Sequence, residues 1–277
     1  MTTPYSHAMR TLPTSFDATT VDAIDALLDD VVRVEGVRVL AAVESGSRAW
    51  GFPSPDSDYD CRFVYVRSAA DYLSPWARRD VVEWAPDGLL DVNGWDLKKA
   101  VQLLLKGNAA ITEWLGSPMV YRSEPGFADE FLALADQVGD RSLVGRHYVS
   151  VGRQQWARFG GDGGTMPLKK LFYSVRPALA VRWLDQHPGA AFPPMTLGAL
   201  AAQTDLTAAQ RDAIDELVAR KAVTREMGAG AVPPVLAALV AVELRDRPWF
   251  EDRRTDLVAA RALAADFFRR AVRTYAA

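Results

Sequence analysis

Two carboxylates one residue apart, Asp58 and Asp60, carry the clearest chemical potential in this chain; they lie in ESGSRAWGFPSPDSDYDCRF, residues 44–63. If YDCRFVYV is a strand, side-chain alternation puts Asp58 and Asp60 on one face and Tyr59 on the other. Adjacent carboxylates repel unless a cation lies between them, and hard oxygen ligands favour Mg²⁺ or Mn²⁺. Upstream, Gly46-Ser47 follows the end of an apolar strand, and such a turn offers backbone N–H groups and a hydroxyl to phosphate oxygens. Asp91, in LLDVNGW, is the candidate for a third carboxylate on a neighbouring strand. Three such groups could hold two ions that clamp the attacking and leaving oxygens of a phosphoryl displacement. A lone Asp-x-Asp is commonplace and usually solvated. The ordered set of strand, Gly-Ser turn, same-face Asp pair and further Asp is far more specific.

Positioning these residues requires a sheet, and the surrounding periodicity supplies one. Residues 20–34 repeat Val21, Ile24, Leu27, Leu28 and Val31 at helical spacing behind Thr20 as N-cap. VRVLAAVE (37–44) and YDCRFVYV (59–66) read as strands, with a third at Val81–Trp84 and a fourth at Leu89–Trp95. Asp96 opens an amphipathic helix carrying Leu97, Val101, Leu104 and Leu105, and ITEWL forms a short helix ending near Gly116 and Pro118. Residues 125–277 show no convincing strand and read as five or six helices, punctuated by Gly and Pro at 160–167, 188–194, 228–234 and Pro248. The expected fold is therefore an α/β (α+β) N-terminal domain with a mixed sheet over 1–120, then an all-α helical domain over 121–277 that closes the cleft. The first twenty residues, with Pro4 and Pro13, read as a polar lead-in.

Composition narrows the alternatives. Of 277 residues 49 % are hydrophobic and 24 % charged, which excludes disordered and collagen-like chains. No stretch reaches the roughly 20 apolar residues of a membrane span, and the N-terminus lacks a signal-peptide core, so a cytoplasmic protein without a membrane partner is expected. One cysteine, Cys61, excludes an internal disulfide framework, and three scattered histidines (His7, His147, His187) make a zinc site improbable. A net charge of −3 gives no global case for nucleic acid.

The segments GSRAWG, SPDSDYDCRFVYV, DVNGWDLKKAVQLLLKGN, EWLGSP and LKKLFYSVRPALAVRW, spread over residues 37–185, resemble the DNA polymerase β-like nucleotidyltransferase superfamily. Within it they are most similar to the bacterial RNA-repair-pathway (RlaP-type) nucleotidyltransferases. The resemblance implies a Mg²⁺-dependent (or Mn²⁺-dependent) enzyme that moves a nucleotidyl group from a nucleoside triphosphate, ATP among the candidates, to an acceptor hydroxyl, with a tRNA-like RNA end as the expected acceptor. It makes Asp58 and Asp60 the metal pair, Gly46 and Ser47 the triphosphate turn, and Asp91 the carboxylate that ligates the catalytic metal and helps deprotonate the attacking hydroxyl. Asp96 competes for that last role, although its place before LKKAVQLLL suits an N-cap. Arg48 could touch phosphate or serve a salt bridge. A protein- or small-molecule-nucleotidylating enzyme of toxin–antitoxin type, and a catalytically silent nucleotide or RNA sensor, stand as alternatives.

A second feature lies in the helical half. Residues 141–182 hold eight Lys/Arg (Arg141, Arg146, Arg153, Arg158, Lys169, Lys170, Arg176, Arg182) against one acid, Asp162. A basic run is most often a solvated face. Here Lys169, Tyr173 and Arg176 share one helix face at i, i+4 and i+7, with Lys170 beside them. That arrangement could hold a triphosphate and stack a base. His147-Tyr148 could line the same cleft, though packing is the commoner job of a helical histidine. Trp50, Trp95 and Trp183 are expected in the core or at the domain interface. GGDGG (160–164) lacks the P-loop pattern and reads as a mobile loop.

Overall fold

The computed structural model describes residues 9–84, 88–225, 227–252 and 256–276; His7 lies outside them. Six strands form one mixed sheet in the order β1-β6-β2-β3-β5-β4: β1 (Met9–Thr11), β2 (Arg38–Glu44), β3 (Tyr59–Val66), β4 (Val81–Trp84), β5 (Leu90–Asp96) and β6 (Val120–Ser123). β2 pairs antiparallel with β3 and β6, whereas β3 and β5 run parallel. Four of these strands were legible from alternation. β1 and β6 are only 3 and 4 residues long, too short to show a period of two.

α1 (Ala18–Glu35) covers one face of the sheet. It is capped by Asp17, which accepts from Thr20 N at 2.8 Å, so Thr20 sits inside the first turn rather than at the cap. Val21, Ile24, Leu28 and Val31 pack against Val39, Ala42, Cys61 and Phe63. The other face is covered by α4 (Leu97–Leu105), α5 (Ala110–Leu115), α6 (Phe127–Val138) and α12 (Leu257–Tyr275), whose Leu97, Leu104, Phe131 and Phe267 bury Leu40, Val43, Val64 and Val66. Two short helices, α2 (Gly46–Ala49) and α3 (Ala69–Leu73), lie in the connections that flank β3. The composition boundary at residue 120 thus differs from the packing: β6 is an inner strand, and α6 and α12 belong to the sheet's own layer.

The remaining helices are α7 (Arg141–Arg158), α8 (Leu168–Gln186), α9 (Leu197–Ala202), α10 (Ala208–Val223) and α11 (Pro234–Glu243). Seven α-helices therefore follow residue 125 among the described residues. Two strands join them, β7 (Thr165–Pro167) and β8 (Ala229–Ala231), which pair antiparallel. These correct the all-helical expectation: a three-residue strand has no readable periodicity, and Gly-rich flanks disguised both. GGDGG is a 3₁₀ turn over Gly161–Gly163 leading into β7.

One residue of the sheet half anchors the two parts. Phe52, in the β2–β3 connection, is buried in the helical core and stacks on Phe172 of α8, with centroids 4.3 Å apart and an interplanar angle of 11°. Removing a buried phenylalanine costs about 3–5 kcal/mol, so this contact helps fix α8 against the turn that carries Gly46 and Ser47.

Candidate active site

β2 ends at Glu44, and the chain turns at Gly46 with φ +58°, a left-handed value that glycine adopts without strain. A Cβ at this position would lie 1.9 Å from Asp60 Oδ2. Only glycine lets the turn approach the carboxylate so closely. Ser47 donates its hydroxyl to Ser57 Oγ at 2.9 Å, and Ser57 Oγ accepts from Ser54 N at 2.8 Å. The loop before β3 is thereby stapled to α2.

Asp58 is exposed immediately before β3, and Asp60 is half-buried within it. Burial raises the Asp60 carboxyl above its ordinary value; Arg62 opposes the rise, and Asp91 and Asp58 add to it. Glu44, fully buried beneath, accepts from Asp60 N at 3.1 Å and from the Tyr121 hydroxyl at 2.5 Å. Burial pushes its carboxyl up to about 7. Arg48 donates to Ser57 O at 2.7 Å and Asp58 O at 3.1 Å, and its guanidinium lies 3.9 Å from the Tyr59 ring centroid. The structure therefore places Arg48 as a brace on the backbone that carries Asp58.

The register of β3 and β5 pairs Asp60 with Asp91. Between them stands Arg62, which donates to Asp60 Oδ1 at 2.9 Å and Asp91 Oδ2 at 2.6 Å. Sequence reasoning missed this residue, although an arginine two positions after Asp60 on a strand must share its face. Asp96 falls on the opposite face of β5. It accepts from Lys98 N at 2.7 Å to cap α4 and from the Tyr72 hydroxyl at 3.0 Å.

Asp58, Asp60 and Ser47 form one wall of a cavity of about 430 Å³; the other wall carries Lys169, Lys170 and Tyr173 of α8 and Lys221 of α10. Lys169 meets Asp56 at 3.3 Å at the rim. Lys170 lies over the rings of Tyr173 and Phe159, at 5.1 and 5.4 Å. Lys221 is 1 % exposed and rests over the stacked pair Phe52 and Phe172, at 4.6 and 5.3 Å. Burial, with the charges of Lys169 and Lys170, lowers its amine to about 8. Nothing in the sequence near 221 signalled this lysine.

The rest of the basic stretch does not line this cavity, and Arg146, Arg153 and Arg158 remain exposed. Arg141 donates to Leu184 O, Arg146 to Phe250 O and Arg153 to Leu244 O, and Arg182 pairs with Glu243. Arg176 is buried in an ion pair with Glu113 at 2.6 Å and donates to Met195 O at 2.9 Å. It lines a second cavity, with His147 and Tyr148, rather than the one holding Asp58 and Asp60. Seven helical positions carry Arg176 about 10 Å along the axis from Lys169. Of the basic stretch, Lys169 and Lys170 line the first cavity, and Tyr173 borders both.

The donor set suits a divalent cation on Asp58 and Asp60, with the glycine at 46 leaving room beside Asp60 Oδ2. Among the described residues no three His, Cys, Asp or Glu side chains cluster closely enough to hold an ion alone. Mg²⁺ is ordinarily held by one or two carboxylates, with substrate phosphates and water completing its shell, and this site matches that pattern. No helix among the described residues is long and apolar enough to cross a membrane.

Known proteins bear on this geometry. A Bacillus subtilis (strain 168) protein named Uncharacterized protein YcgL is 34 % identical over 221 residues, covering 79 % of this chain and 84 % of that one. The crystal structure of a nucleotidyltransferase-like protein from Exiguobacterium sibiricum 255-15 aligns over 91 % of each chain, at 10 % identity and a TM-score of 0.31, too low to inform the fold. Residues 21–270, which include every residue of both cavities, match the family described as RlaP, RNA repair pathway DNA polymerase beta family, and the chain belongs to that family of nucleotidyltransferases.

Proposed function

We propose that this protein transfers a nucleotidyl group from a nucleoside triphosphate to an acceptor hydroxyl, with an RNA end as acceptor. The observation that carries this reading is the 430 Å³ cavity, in which paired carboxylates on the sheet wall face three lysines on the helical wall. Burying a lysine without a carboxylate partner is costly, and an anion entering the cavity would offset that cost at Lys221. Family membership supports the same chemistry and, through the repair pathway in its description, the RNA acceptor.

Asp58 and Asp60 would hold a divalent cation, which when bound neutralises charge on the phosphates. The acceptor oxygen bonds to the α-phosphorus, the bond from that phosphorus to the bridging α,β-oxygen breaks, and pyrophosphate leaves. Asp91, beside Asp60, half-exposed and outside the lining of the cavity, would take the acceptor's proton. Its bond to Arg62 holds it in orientation until the acceptor arrives. Lys169, Lys170 and Lys221 stabilise the growing charge on pyrophosphate, the principal electrostatic contribution to such a transfer. Gly46 and Ser47 set the turn against which the phosphates lie.

The test is transfer of label from each α-labelled triphosphate to total RNA in Mg²⁺, with Asp58→Asn alongside. Label should enter RNA with the unmutated protein alone. Label on protein would replace the RNA acceptor with a protein hydroxyl. Equal labelling by Asp58→Asn would overturn the site.

A further inference from the structure

Next to the phosphate-sized cavity lies a second, of about 320 Å³ and different character. Its walls are largely aromatic: Trp50, Trp95, Tyr173 and His147 surround it, and the buried pair Glu113–Arg176 forms its polar end. Glu113 also accepts from the buried Tyr148 hydroxyl at 2.7 Å, so this polar end is rigid. Trp50 Nε1 is buried without a hydrogen-bond partner among the described residues. A volume near 300 Å³ sits at the low end of small-molecule sites.

Two rows of side chains lead here from the reactive centre. On β5, Asp91, Asn93 and Trp95 alternate onto one face, so the row runs from the carboxylate beside Asp60 to an aromatic wall of the second cavity. On α8, Lys169, Tyr173 and Arg176 share a face, and Tyr173 stands between the cavities with its ring edge-on to Trp50, centroids 5.8 Å apart. A ligand with a charged end in the first cavity and a flat end in the second would pass beside Tyr173. Flat heterocycles gain about 1–3 kcal/mol per base from stacking on aromatic side chains, and the carboxylate–guanidinium pair of Glu113 and Arg176 offers polar partners to a ring edge.

We propose that this second cavity binds a nucleobase. The assignment rests on the nucleotidyl-transfer reading above, and the base could come from the incoming triphosphate or from the acceptor's terminal nucleotide. The phosphates anchor on the lysines in either case.

The experiment compares binding of inorganic tripolyphosphate and of each nucleoside triphosphate, by calorimetry in Mg²⁺, to the unmutated protein and to Ala110→Phe and Val151→Phe. Both substitutions project bulk into the aromatic cavity from separate helices, and retained tripolyphosphate binding shows that the phosphate wall has folded. If the cavity takes the triphosphate's base, at least one triphosphate binds the unmutated protein tenfold or more tighter than tripolyphosphate, and both variants erase that difference. If it takes the acceptor's base, triphosphate affinity holds while the KM for an RNA oligonucleotide rises about tenfold in both variants. Variants that bind tripolyphosphate yet shift neither quantity overturn the proposal. Failure of the unmutated protein to bind either tripolyphosphate or nucleoside triphosphates would overturn the nucleotidyl-transfer reading, and this assignment with it.

Discussion

The two walls of the first cavity hold their charges in opposite ways. On the sheet wall the groups around the exposed Asp58 are bonded within the protein: Asp60 has Arg62, Arg48 has the carbonyls of Ser57 and Asp58, and Ser47 has Ser57. On the helical wall Lys170 and Lys221 lie over aromatic rings, and Lys169 reaches a carboxylate only at the rim. A wall that must present a cation site with fixed spacing gains from internal bonds. A wall that must bind phosphate gains from leaving its charge uncompensated until the phosphate arrives. The contrast separates geometry from affinity.

The sharpest way to break this comparison is Asp60→Asn. Transfer should fall by at least about 10³-fold, with little change in thermal midpoint because Arg62 keeps its bond to Asp91; activity within tenfold in the labelled-nucleotide assay would remove Asp60 from the metal pair. Gly46→Ala comes next. Its methyl would collide with Asp60 Oδ2 and force a left-handed alanine, so transfer should drop about 10²-fold and stability by roughly 1–2 kcal/mol, read by denaturant titration.

Lys221→Met sharpens the other side. The folded protein releases the Lys221 proton near pH 8, whereas the unfolded chain keeps it to the ordinary value of 10.5. Between these limits the unfolded state binds more protons, so the penalty of burying this group is full below about pH 8 and disappears as pH rises toward 10.5. The methionine variant should therefore be more stable than its parent at pH 7, by on the order of 1–2 kcal/mol, and bind triphosphate about tenfold more weakly. Equal stability at pH 7 would mean the ammonium is not destabilising in the ligand-free fold. The smallest effect is expected for Lys169→Ala: a several-fold rise in KM for the triphosphate with kcat nearly unchanged, since Asp56 at the rim already screens this charge.

The difference between the walls also decides what could be read from the chain. Strand, glycine turn and alternating carboxylates lie within twenty residues, and local geometry governs them; Asp58, Asp60 and Gly46 come together as that spacing implies. Asp96 as a cap was equally local. Arg62 obeys the same alternation and was legible by it. The helical wall depends on contacts far apart in sequence. The basic excess of 141–182 pointed to phosphate, yet Arg141 and Arg182 bond within the helical layer, Arg146 and Arg153 bond carbonyls and acids at its surface, and none of the four lines the first cavity, distinctions that charge counting does not make. Arg176 shared a helix face with Lys169 but stands too far along the axis to line the same cavity. Lys221 had no local signal at all, because its burial is made by Phe52 and Phe172.

The β7–β8 ribbon gives the lysine wall an order of assembly. Its pairs, Thr165 with Ala231, Met166 with Gly230 and Pro167 with Ala229, join the chain just before Lys169 to the chain just after Lys221. Contacts of such long sequence separation form late, because loop closure must precede any gain from them. During synthesis the carboxylate strands can pair once residue 96 has emerged, but the ribbon cannot close until residue 231 is made. A nascent chain would thus carry its paired acidic strands for about half its length before the lysines are in place, and so remain without a finished phosphate site until the ribbon closes.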